Sequence, residues 1–223
     1  MGLMSESIDW RLHVVTSGSG AATVTAAAGA ARAGAGIVQV RAKELLAADL
    51  LELVCRVADA VAAVTSRTKV IVNDRVDVAD AARRRGARVH GVHLGQRDLP
   101  VEHARAVLGP DVLIGLTAGT PELVAEAEAR RGPGRPDYLG GGPFRPTPTK
   151  DVGRPPIGLA GYPVLAGLTS LPLIAIGDVQ LGDVGDLAAT GVAGVAVVRA
   201  VMTAPDPGAV AALCLDAWDT GVR

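Results

Sequence analysis

The chain has 223 residues, with 22 Lys plus Arg against 23 Asp plus Glu and a net charge of −1. That balance excludes the basic excess of a nucleic-acid surface, and 49% hydrophobic with 20% charged residues exclude a disordered chain. Aromatics make up only 2%, so the core is to be built from Val, Leu, Ile and Ala, side chains small enough for close helix-on-sheet contact.

Short β-branched runs alternate with Ala-rich stretches along the chain. Strands are predicted at 12–16, 37–41, 70–73, 89–94, 112–116, 137–140, 173–176 and 195–198, and helices at 21–33, 48–64, 76–85, 101–108, 121–130, 157–168, 183–190 and 207–218. Strand starts recur at roughly 26-residue intervals, about the length of one strand, one helix and two short loops. Eight such units predict a closed (β/α)8 TIM barrel, a single domain over residues 1–223 with 1–10 as an N-terminal extension. A doubly wound open sheet is the alternative. It uses fewer strands and a full glycine fingerprint, whereas only Gly18 and Gly20 follow the first strand here. Cys55 and Cys214 have no metal-ligand spacing, as in a reduced cytoplasmic protein. The uncharged stretch 155–177 is broken by Pro155, Pro156, Pro163 and Pro172, so no membrane span is expected. Residues 1–11 hold Glu6 and Asp9 with no basic run, so no targeting segment is expected.

In such a barrel chemistry gathers at the C-terminal ends of the strands. After strand two, alternation puts Gln39, Arg41 and Lys43 on one face, towards the barrel axis or its mouth. They need a ligand or each other, with Glu44 the nearest acid in sequence. Strand three ends Asn73-Asp74, and the turn after strand four carries Asp98. Two carboxylates on successive loops can converge on one hard cation, and magnesium suits them because it takes one or two protein carboxylates and completes its shell with water and phosphate. Either aspartate could instead cap the helix that follows it. His90 and His93 stand three apart, on opposite strand faces, which reads as core or edge histidines rather than a metal pair. The proline-rich segment 141–156 is long enough to be an active-site loop, and its Thr147-Pro148-Thr149-Lys150 offers hydroxyls and an ammonium to phosphate oxygens. Gly177, Val198 and Arg199 fall where loops after strands seven and eight offer backbone amides to a phosphate. Two anion sites, one with a metal, suit a transferase that releases pyrophosphate from one substrate while holding a phosphorylated acceptor.

Five motifs follow one another in order: Gln-Val-Arg-Ala-Lys-Glu from 39, Val-Asn-Asp-Arg-Val-Asp-Val-Ala from 72, Gly-Val-His-Leu-Gly-Gln-Arg-Asp-Leu-Pro from 91, Gly-Gly-Pro-Phe-Arg-Pro-Thr-Pro-Thr-Lys from 141, and Ala-Ile-Gly-Asp-Val from 175. Together they resemble the thiamine-phosphate synthase family over about 12–207. The resemblance implies an enzyme that joins hydroxymethylpyrimidine diphosphate to the phosphorylated thiazole, releasing pyrophosphate by a dissociative route. It implies that Gln39, Val40, Arg41, Ala42, Lys43, Asn73, Thr117 and Lys150 bind the pyrimidine diphosphate, with Arg41, Lys43 and Lys150 acting in catalysis. Asp74 and Asp98 would hold Mg2+, and Thr147, Pro148, Thr149, Gly177, Val198 and Arg199 would line the thiazole-phosphate site. The partners implied are these small molecules, with no nucleic acid and no membrane, and fold-level analogy allows a homodimer. Arg145, Asp178 and Arg199 depart from the pattern, and Arg199 is expected to contact the thiazole-side phosphate, offsetting the repulsion from Asp178. A thiazole tautomerase or a catalytically silent thiazole-phosphate binder of the same fold is the alternative.

Overall fold

A computed structural model describes residues 8–146 and 155–222. Eight parallel strands close on themselves in sequence order, from β1 (Leu12–Val15), β2 (Ile37–Val40), β3 (Lys69–Asn73) and β4 (Gly91–Leu94) through β5 (Leu113–Thr117), β6 (Tyr138–Gly141), β7 (Leu173–Ile176) and β8 (Gly194–Val197), which returns to β1. Leu12 pairs with Val195 and Val14 with Val197 across that last seam. This is the (β/α)8 barrel that the spacing predicts. The helices outside it are α1 (Ala21–Ala33), α2 (Ala47–Ala62), α3 (Val76–Arg84), α4 (Val101–Leu108), α5 (Pro121–Ala129), α6 (Gly158–Ala166), α7 (Val184–Ala188), α8 (Arg199–Met202) and α9 (Pro207–Gly221).

Local chemistry sets the boundaries. α1 stops at Gly34, whose left-handed φ of 111° lets its N–H reach back to Ala30 and Ala31. α5 and α9 each open with a capped start and proline in the first turn: Thr120 accepts from the Leu123 N–H, and Asp206 from the Ala209 N–H.

Strand alternation divides the apolar residues into two cores. Val14, Val38, Val40, Val70, Val72, Val92, Leu94, Ile114, Leu116, Leu139 and Val195 face outward and pack under the helices. Val15, Ile37, Ile71, Leu113, Tyr138, Ile174 and Ala196 fill the barrel interior. Ile8 and Trp10 pack against the interior set, Trp10 lying 5.3 Å from the Tyr138 ring, so the final residues of the expected extension belong to the barrel floor. At that same end Arg105, only 11% exposed, donates to the carbonyls of Pro133, Pro110, Val112 and Arg135 and pairs with Asp137. Arg11 bridges Asp9 and Asp219, tying the start of β1 to α9.

Most limits shift by one to three residues, and two differences have a visible cause. β4 begins at Gly91 rather than Val89, because the Val70 N–H goes to the His90 ring Nδ1 at 3.0 Å and a side chain takes a ladder position. Past β8, Val198 leaves extended geometry at φ −119°, ψ −85°, and the chain turns straight into α8, a helix the sequence pattern does not announce. No helix among the described residues is long and apolar enough to cross a membrane.

Candidate active site

The mouth of the barrel gathers most of the described polar residues named above. Gln39, 4% exposed at the end of β2, donates from Nε2 to Asn73 Oδ1 at 2.6 Å across the β2–β3 pair. Asp74 follows with φ +62°, a conformation a non-glycine residue adopts only where the surroundings impose it. Lys43 Nζ lies 2.7 Å from Asp74 Oδ2, so the acid beside this cation is Asp74, just past the end of the next strand, rather than the exposed Glu44. The Arg41 guanidinium makes no ion pair with a described residue, while its backbone N–H donates to Thr16 Oγ1 at 2.9 Å. Val40 and Ala42 point outward into the layer under α2, so only their backbone can meet a ligand at the mouth.

Asp98 closes the turn after β4 by accepting from the Gly95 N–H at 2.6 Å. The helices after both aspartates start without a side-chain cap, so neither carboxylate is spent on that role. Burial, opposed by the Gly95 N–H and reinforced by the neighbouring Asp74 charge, raises the pKa of Asp98. Two carboxylates that repel each other are what a bound cation relieves, and the donor set, oxygen-only and flanked by Lys43, fits a hard ion with open positions for phosphate and water. Asn73, Asp74, Asp98, Lys43 and Ala42 line one cleft of about 290 Å³. A larger depression of about 590 Å³ sits beside Arg105 and Pro172 at the opposite end, where the inter-strand loops bind the barrel together.

Across the mouth, Thr117 ends β5. Its Oγ1 lies 3.1 Å from His93 Nε2, and its carbonyl accepts from Gln96 Nε2 at 2.6 Å. Gly177 follows β7 at φ +107°, and a Cβ there would stand 2.6 Å from Pro143 Cα, so only glycine lets the 143–145 segment cross. Asp178 comes next, again left-handed at φ +59°. Its Oδ1 accepts from Arg199 at 2.5 Å and from Gln180 Nε2 at 2.7 Å. Arg199 therefore does more than offset Asp178 from a distance; the two are ion-paired at the head of α8. Arg145 stacks over Phe144 at 4.6 Å and pairs with Asp183. Val198 packs on the interior cluster, leaving its backbone at the rim. Thr147, Pro148, Thr149 and Lys150 lie outside the described residues.

Sequence reasoning missed the polar string beneath the mouth. The spacing of His90 and His93 correctly separates them onto opposite faces, but His93 points inward, where its Nδ1 lies 2.9 Å from the Tyr138 hydroxyl. The available signal was in the glycines: Gly115 and Gly140 occupy inward strand positions, and a Cβ on them would press on Tyr138 and His93. His13, 2% exposed, stands edge-on to Tyr138. Gln39 lies beside it and opposes the downward shift of its pKa, yet that amide is committed to Asn73, and among the described residues neither His13 nitrogen has a hydrogen-bond partner. Burial first, and the His93 charge second, push the His13 pKa down to about 3.

The thiamine monophosphate synthase family profile matches residues 12–201. A thiamine-phosphate synthase of Corynebacterium jeikeium is 50% identical over 208 residues, 93% of this chain and 94% of the relative. One from Corynebacterium efficiens is 49% identical over 205 residues, 92% and 93% of the two chains. Among solved structures, a thiamine phosphate pyrophosphorylase from Pyrococcus furiosus superimposes with a TM-score of 0.82 at 28% identity, covering 97% of this chain and 98% of that one. With the profile covering nearly the whole barrel and relatives at half identity, the chain belongs to the thiamine monophosphate synthase family.

Proposed function

We propose that this barrel mouth joins hydroxymethylpyrimidine diphosphate to thiazole phosphate, giving thiamine phosphate and pyrophosphate, as a cytoplasmic transferase acting on small molecules. The observation that carries the reading is the convergence of Asp74, Asp98 and Lys43 beside the Gln39–Asn73 pair. Asp74 and Asp98 would hold magnesium, which when bound supplies a positive charge against the leaving phosphates. Gln39, Asn73 and Thr117, with the backbone of Val40 and Ala42, hold the pyrimidine diphosphate. Arg41, Lys43 and Lys150 offset the charge that grows on the departing pyrophosphate oxygen. The carbon–oxygen bond breaks first, its electron pair leaving with pyrophosphate, and the pyrimidine ring stabilises the methylene cation until the thiazole nitrogen captures it. Holding both rings face to face removes the entropy cost of that encounter. Gly177, Val198 and Arg199, with Thr147, Pro148 and Thr149, receive the thiazole-side phosphate.

The test is an assay for thiamine phosphate and pyrophosphate with both substrates, in magnesium and in EDTA, on wild type and Asp98→Ala. Metal-dependent product that disappears in the variant supports the reading. No product from wild type, with thiazole phosphate still binding by calorimetry, would replace it with a binding or tautomerase role.

A further inference from the structure

His93 connects the barrel interior to the mouth. Its Nδ1 lies 2.9 Å from the Tyr138 hydroxyl and its Nε2 lies 3.1 Å from Thr117 Oγ1. The fold reserves room for both rings: a Cβ at Gly140 would stand 2.9 Å from His93 Cε1, and one at Gly115 would stand 2.1 Å from Tyr138 Cζ.

With the imidazole neutral, two proton arrangements satisfy these distances. Either the Tyr138 O–H donates to Nδ1 and Nε2–H donates to Thr117, or Nδ1–H donates to Tyr138 and the Thr117 O–H donates to Nε2. Burial decides between them. Tyr138 is 1% exposed, and that burial, with the Asp137 charge, holds its pKa well above the ordinary value, so the phenol keeps its proton. In the second arrangement that proton would need another acceptor, and among the described residues the hydroxyl has none besides His93. A buried donor left unsatisfied is the costlier state. The first arrangement also leaves the Thr117 proton free of the protein, since no described acceptor other than His93 lies at Oγ1.

We infer that His93 is a positioning residue: fixed as the Nε2–H tautomer by Tyr138, it donates to Thr117 Oγ1 and turns the Thr117 hydroxyl proton into the mouth, where it donates to a ring-nitrogen acceptor of the pyrimidine. This rests on the reading above that Thr117 faces the pyrimidine. Each bond in the string from Tyr138 through His93 to Thr117 polarises the next.

Two measurements test it. On the metal-free, substrate-free protein, ¹H–¹⁵N spectra of the imidazoles, with His93 assigned by comparison with His93→Gln, should show Nε2 protonated and Nδ1 bare. A protonated Nδ1 overturns the string. In steady-state kinetics, Thr117→Val and His93→Leu should each raise KM for the pyrimidine diphosphate about tenfold, with KM for thiazole phosphate unchanged, and the double variant should be no worse than Thr117→Val alone. His93→Gln, whose amide N–H reaches towards the Nε2 position, should recover most of the loss, which a purely structural role would not allow. Additive effects of the two substitutions, or no rescue by glutamine, overturn the inference. The expected tautomer with no effect of Thr117→Val would instead place the error in the pyrimidine reading.

Discussion

The buried His13 gives the protein a defined acid sensitivity. Its folded-state pKa of about 3 lies below the ~6.5 of a histidine in an unfolded chain. Above pH ~6.5 both states are neutral at this residue and it adds no pH dependence. Below that, the unfolded chain takes up a proton that the folded chain refuses, so stability falls as pH falls, by about 1.4 kcal/mol per unit, until the folded pKa is reached. Between pH ~6.5 and pH ~5 the loss is about 2 kcal/mol, a large share of a domain's net stability. His90, pushed down to about 4 mainly by burial, acts in the same direction, and its Nδ1 must stay bare to accept from the Val70 N–H. Urea unfolding of wild type and His13→Leu at about pH 7.5 and about pH 5 isolates the His13 share. The variant should match or exceed wild-type stability at the higher pH, because it removes two unsatisfied buried nitrogens, and should lose about 2 kcal/mol less on acidification. Equal losses in the two proteins would refute the argument.

Other outcomes follow from the same geometry. Asp98→Asn should abolish magnesium-dependent turnover while raising the melting temperature in EDTA, since it removes a carboxylate whose charge is disfavoured by burial and by Asp74. Arg199→Ser should raise KM for thiazole phosphate by leaving the Asp178 carboxylate unpaired at the rim, and Asp178→Gly in the same protein should restore it; an unchanged KM would remove Arg199 from that site. Thr120→Ala should cost about 1 kcal/mol in urea unfolding through loss of the α5 cap. Gly115→Ala should cost about 1–3 kcal/mol and displace Tyr138, visible in its ring proton shifts.

The barrel was legible because its signals are local and repeated. Each strand is a β-branched run with outward Val and Leu, and each of the eight lies within two residues of its predicted limits. The mouth was legible to the extent that a strand end exposes it: Gln39, Asn73, Asp74 and Asp98 could be placed by alternation and order alone. What could not be read was pairing at a distance. That Lys43 meets Asp74 rather than Glu44 depends on the β2–β3 register. That Arg199 reaches Asp178 depends on the left-handed residue after Gly177 and on the turn into α8. The inward string through His93 escaped notice because its sequence trace is a pair of missing side chains, Gly115 and Gly140, each distant in sequence from the ring it accommodates.

The seam between β1 and β8 has a kinetic meaning. Its contacts join residues near opposite ends of the chain, and the Arg11–Asp219 pair bridges 208 positions. Every other strand pairs with its neighbour in sequence, so an arc from β1 to β7 can assemble by successive short closures. Closing the ring is a different step, because nearly the whole polypeptide is the loop whose entropy opposes it. Until that step an open arc exposes two unpaired strand edges, each a template for another chain. α9, packed on both α1 and α7, covers the junction once it forms. The same helix that finishes the barrel thereby withdraws its two edges from intermolecular pairing.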